Sequence, residues 1–96
     1  RHEQVRWVLL LTLNNARPGD AGAGLLVRTV QGALYPDATA LEVRRELDYL
    51  ASRRLVEISD PPSGPWLARL TRYGVDIAEY TIPCEPGIAR PKDKWW

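Results

Sequence analysis

Residues 39–80 read TALEVRRELDYLASRRLVEISDPPSGPWLARLTRYGVDIAEY, and this stretch decides the fold. It opens with Thr39-Ala40-Leu41-Glu42, the S/T-x-x-E spacing of a capping box, in which the Thr39 hydroxyl and the Glu42 carboxylate satisfy each other's orphaned backbone N–H groups. A helix is predicted to start there. Val43, Leu47, Leu50 and Ala51 recur at three- to four-residue spacing, so one stripe faces a core while Glu42, Arg45, Tyr49 and Ser52 face away. After Arg53-Arg54, the segment Leu55 to Ser59 alternates as a half-buried strand does, with Val56 and Ile58 on one side. Asp60-Pro61-Pro62-Ser63-Gly64-Pro65 interrupts it, because proline removes ladder donors and Gly64 permits a sharp turn. Trp66 to Leu70 returns as the partner strand, and Thr71 stands as N-cap of a helix bearing Val75, Ile77 and Ala78. Capped helix, hairpin and helix are the second half of a winged helix-turn-helix, a mainly α fold with a small β-hairpin.

The first half supplies the remaining helices. Arg1 to about Asn14 reads as one helix with Val5, Val8, Leu9 and Leu13 on one side. Trp7, Leu10 and Leu11 widen that apolar arc, which fits either a central buried helix or the interface of a homodimer. Asn14 to Gly19 makes a loop, and Asp20 is the expected N-cap of a second helix through Leu25, Leu26, Val30 and Leu34. Tyr35-Pro36-Asp37-Ala38 then forms the turn of the helix-turn-helix. The winged-helix domain is thus expected over residues 1–81, followed by an extended, proline-containing tail over 82–96, pinned by Ile82 and Ile88. The tail closes on Lys92-Asp93-Lys94-Trp95-Trp96, where aromatics beside cations either stack on bases or a partner, or hang as a loose terminus.

Composition narrows the chemistry. A chain of 96 residues has room for one core, and the absence of Phe leaves Leu, Val, Ile, Trp7 and Trp66 to fill it. The lack of any Met points to a chain that begins inside a longer product or after processing. The longest apolar run, Trp7 to Leu11, is far shorter than the ~20 residues a membrane span needs. Cys84 is the lone cysteine, fits a reducing bacterial cytoplasm, and with His2 at the other end assembles no metal site. His2, expected to fray with the terminus, gives no nucleophile a general base, and no P-loop follows Gly19, so neither an enzyme nor a cofactor is expected. Glu42, Glu46 and Asp48 read as a cap and a solvated helix face. The formal net charge of +1 is not the strongly basic footprint of a protein held on DNA by phosphate neutralisation alone.

Four segments together resemble a known family: Leu41-Glu42-Val43-Arg44-Arg45-Glu46-Leu47-Asp48-Tyr49-Leu50, then Arg54-Leu55-Val56-Glu57, Leu70 to Ala78, and the ending Pro86-Gly87-Ile88-Ala89-Arg90-Pro91. They are similar to small winged-helix proteins of Mu-like bacteriophages and prophages, often labelled ArsR-like regulators. The resemblance implies the fold and DNA binding. Two departures stand out: Arg54 replaces the glycine that commonly precedes Leu-Val at the first wing strand, and the paired cysteines of metal-sensing members are absent.

The functional expectation is a phage-encoded transcriptional regulator that binds double-stranded DNA as a homodimer. Arg45 is the candidate for a guanine edge, flanked by Thr39, Glu42 and Tyr49, while Arg44, Arg53, Arg69 and Arg72 are candidates for phosphates. Ser63 and Gly64 form the wing tip, and Trp7, Leu10 and Leu11 the dimer face. For each arginine a solvated side chain or surface ion pair is the alternative. The competing function is a winged-helix interaction module in phage assembly or DNA packaging that never touches DNA.

Overall fold

The computed structural model describes residues 1–94, so the Trp95-Trp96 end lies outside the described residues. Its elements are α1 (His2–Ala16), β1 (Ala21–Gly22), α2 (Ala23–Ala33), α3 (Ala40–Ser52), β2 (Val56–Ser59), β3 (Leu67–Leu70) and α4 (Arg72–Ala78). The hairpin pairs Val56 with Leu70, Glu57 with Arg69, Ile58 with Ala68 and Ser59 with Leu67. A third strand joins it: Ala21 and Gly22 pair antiparallel with Ala68 and Leu67, giving the order β1-β3-β2. This departs from the expected helix N-cap at Asp20. Gly22 is extended and itself precedes α2, so the two residues close the free edge of β3 before the helix begins. This is a winged helix.

α1 is the central element and packs against α2, α3, α4 and β3. Its Val5, Trp7, Leu9, Leu10 and Leu13 are all buried, and each such side chain contributes about 1.5–3 kcal/mol of burial free energy. This takes Trp7 and Leu10 out of the expected dimer face. Leu10 is fully enclosed, Trp7 is 7% exposed and meets Tyr80 edge-on at 6.1 Å, and Leu11 is half-buried against the same core. The wide arc is covered within one chain because helices and sheet surround α1 on most sides.

Local chemistry fixes the helix ends. The Glu42 N–H donates to the Thr39 hydroxyl at 3.1 Å, yet the Glu42 carboxylate does not return the bond and turns instead to Arg1. Thr71 caps α4 through the Gly74 N–H, while its own hydroxyl donates to the Arg54 carbonyl at 2.7 Å. At the end of α3, the Arg54 N–H reaches the Ala51 carbonyl and the Leu55 N–H the Leu50 carbonyl, the paired bonds of a Schellman motif. Arg54 is accordingly left-handed, with φ +64°. It occupies the conformation that glycine usually supplies, at a cost of about 1–2 kcal/mol. Gly74 serves a different need: a Cβ there would overlap the Leu55 carbonyl, so only glycine lets α4 lie against the start of β2.

Arg54→Gly should therefore raise unfolding free energy by about 1 kcal/mol. Thr39→Ala should lower it by about 1 kcal/mol, and Gly74→Ala by about 3 kcal/mol. Urea denaturation of the three variants reads all of these, and an unchanged midpoint for Arg54→Gly would show that the turn carries no strain.

Candidate nucleic-acid interface

Four stripes run along α3, and only one is open. Val43, Leu47 and Leu50 are fully buried and hold the helix to the core. In the stripe Glu42, Glu46, Tyr49 and Arg53, the first three are covered by the chain's own ends and Arg53, though exposed, is paired with the tail. Arg1 donates to both Glu42 oxygens at 2.7 Å, and Arg6 donates to Glu46 at 2.8 Å alongside His2. The Arg6 guanidinium lies 3.6 Å from the centre of the Tyr49 ring, and Arg53 donates to Glu85 at 2.7 Å. Glu42 and Tyr49 thus face α1 and the tail. Glu46 is 3% exposed, which corrects its expected place on a solvated face, and His2 is engaged there where fraying was expected.

The third stripe ties the wing to α3. Arg44 binds Asp48 one turn on and donates to both oxygens of Asp60 at the start of the wing loop, at 2.9 and 3.2 Å. Trp66, at the other end of that loop, places its ring 5.8 Å from the same guanidinium. Arg44 thus links helix and wing through two exposed carboxylates. Its pKa is raised by the hydrogen bonds to Asp60 and Asp48, and that of Asp60 is lowered by the bond from Arg44.

The open stripe is Leu41, Arg45, Asp48 and Ser52, all exposed. Arg45 makes no hydrogen bond or ion pair among the described residues. Thr39 is exposed at the head of the same helix, and Ser63 and Gly64 are exposed at the wing tip. Arg69 sits 3.8 Å from Glu57 across the hairpin with both side chains 61% exposed, and Arg72 reaches Asp76 at 3.3 Å while 89% exposed. Contacts this exposed are worth about 0–1 kcal/mol and exchange readily for another anion. Arg28 on α2 and Arg54 are exposed too and make no ion pair among the described residues. The sequence reading missed Leu41 and the covering of the Glu42 stripe. A helical wheel begun at Leu41 would have found the former; the latter depends on the tail.

That tail packs closely. Ile88 joins the core, the Ala89 N–H donates to the Glu3 carbonyl, and Arg6 donates to the Gly87 carbonyl. Arg90 donates to the carbonyls of Ile77 and Ile82 with its guanidinium over the Tyr80 ring, whose hydroxyl donates to Pro91. Burial pushes the Glu85 carboxyl up, but hydrogen bonds from Tyr73 and Arg53 outweigh it and hold the pKa below the ordinary range. Burial also raises the Cys84 thiol. Among the described residues no cluster of His, Cys, Asp or Glu could hold a metal ion, and no helix is long and apolar enough to cross a membrane.

No protein-family model matches the chain, and no curated protein matches it in sequence. Among solved structures, Bacillus subtilis PadR in complex with operator DNA is similar, with a TM-score of 0.61 and 18% identity over 92% of this chain and 52% of that one. The two share a fold. The present chain spans about half the length of that PadR chain.

The carboxyls of Glu42, Asp60, Glu79 and Glu85 are all lowered on folding. Their contribution is complete above the unfolded carboxyl range near 4.5 and is lost as pH falls through the folded values. Thermal melts should show a midpoint that drops below about pH 4.5. Glu85→Gln should lower the midpoint at neutral pH and make the acid limb shallower; an unchanged limb would mean the tail contact carries no linkage.

Proposed function

We propose that this chain is a DNA-binding regulator of a Mu-like phage or prophage, acting in the bacterial cytoplasm, with α3 laid in the major groove of duplex DNA. The observation that carries the reading is Arg45. It is an exposed arginine on the open stripe of α3 with no carboxylate partner among the described residues, on a helix whose wing is fixed by the Arg44–Asp60 brace. Arginine in that position suits the O6 and N7 acceptors of guanine. Arg28, Arg54, Arg69 and Arg72 serve as phosphate ligands, with Ser63 and Gly64 beside the backbone; Arg44 and Arg53 are already engaged. PadR, which shares the fold, is seen on operator DNA, and this supports the reading by analogy. The homodimer expected from the sequence stays part of this reading, formed through a face other than Trp7 and Leu10, which belong to the chain's own core.

A second reading, an interaction module in phage assembly or packaging, is favoured by the net charge of +1 and by the number of arginines engaged internally. Gel shifts on fragments of a Mu-like phage genome at low and physiological salt separate the two. On the DNA reading binding weakens steeply with salt, Arg45→Ala costs about 1–3 kcal/mol on the preferred fragment and flattens sequence preference, and Arg72→Ala weakens all fragments alike. Absence of any shift at low salt would favour the interaction module.

A further inference from the structure

We infer that Leu41 is a second base-reading residue, and that the duplex this chain prefers carries a thymine one or two steps from the guanine met by Arg45. The inference rests on the DNA-binding reading above. Within α3 the aliphatic side chains divide sharply: Val43, Leu47 and Leu50 are fully buried, whereas Leu41 is 61% exposed. One exposed leucine on a surface signifies nothing by itself. Its position does, because it stands four residues before Arg45, so the two side chains lie one above the other on the open stripe. Leu41 is also in the first turn, the second helical residue after the Thr39 cap, and its Cβ leans toward the helix N-terminus. That end of a recognition helix is the one that approaches base edges. Asp48, the next residue of the stripe, is held by Arg44 at 3.0 Å.

The ligand chemistry follows from what leucine lacks. It neither donates nor accepts a hydrogen bond, so against the major groove it gains only from an apolar surface, and the thymine C5-methyl is the apolar group presented there. Opposite cytosine, the same side chain would leave the N4 amino group desolvated and unpaired. Four helical residues span about 6 Å, and successive bases are about 3.4 Å apart along a strand. The thymine therefore lies one or two steps from the guanine.

The test begins with selection from a random-sequence duplex library using the unmodified chain, followed by fluorescence anisotropy on the enriched duplex. Each thymine is replaced in turn by deoxyuridine, which removes only the methyl group. One position should lose about fourfold in affinity, the worth of one buried methyl. Leu41→Ala should lose a similar factor on the thymine duplex and show no further loss on the deoxyuridine one. Arg45→Ala should be non-additive with 7-deazaguanine at a different position. Leu41 is exposed, so its truncation leaves the core untouched, and an unchanged circular dichroism melt verifies this. Tolerance of deoxyuridine everywhere, or a deoxyuridine loss undiminished in Leu41→Ala, overturns the inference and leaves the DNA reading standing. Failure to enrich any duplex overturns the DNA reading and the inference with it.

Discussion

A carboxylate enclosed between two helices sets the frame on which this domain is built. Glu46 on α3 is 3% exposed, and a buried charge left alone is far more costly than the pair that satisfies it. Arg6 meets it from α1 at 2.8 Å, itself only 15% exposed, and His2 adds a second contact. Because Arg6 also lies over the Tyr49 ring and donates to Gly87, one guanidinium fixes the register of α1 on α3 and seats the tail across both. Hydrophobic burial drives α1 and the Val43, Leu47 and Leu50 stripe of α3 together, and this pair is satisfied only in the rotation that stripe sets. The rotation decides which stripe faces outward, since turning α3 by one stripe would hide Arg45 and expose Tyr49.

The wing obeys a similar logic with cheaper parts. A four-residue strand on each side of a proline-rich loop has little to hold its angle, and β3 gains a partner on its far edge from β1. Arg44 then closes the remaining freedom by joining Asp48 on the helix to Asp60 at the loop's root, with Trp66 beside it. The arginines of α3 thus divide by surroundings: Arg44 joins helix to wing, Arg53 pairs with the tail, and Arg45 makes no hydrogen bond or ion pair among the described residues.

How much of this was legible in the sequence depended on range. Thr39 and Thr71 announce their helices because a cap is a matter of three neighbouring residues, and Pro61, Pro62 and Gly64 announce the loop for the same reason. β1 was hidden: two residues, one of them Gly22, carry no periodicity, and their strand exists only because β3 offers an edge. The helical period of α3 showed which residues avoid the core but not which are covered by distant chain. Glu42 and Tyr49 therefore looked as open as Arg45, and the partners that cover them lie at Arg1 and Arg6, while Arg53 stays exposed but is paired with Glu85. Charge statistics failed likewise at Glu46, whose burial is tolerable only with Arg6 forty residues away. The substitution of Arg54 for a customary glycine was visible as an anomaly, and its left-handed backbone explains what the position demands.

The tail docking has a consequence for how the chain comes into being. Its contacts join opposite ends of the sequence, Ala89 to Glu3 and Gly87 to Arg6. During synthesis α1 is made before the elements that cover it, and its last contacts wait until the tail has left the ribosome. The helical part can collapse early through short-range contacts, whereas the final closure is a long-range event of the kind that slows folding. A nascent chain stalled before Pro86 would hold Arg6 without its Gly87 acceptor and leave the place of Ile88 unfilled. Completion of the fold is thereby coupled to synthesis of the Pro-Gly-Ile-Ala-Arg-Pro segment, which latches onto α1.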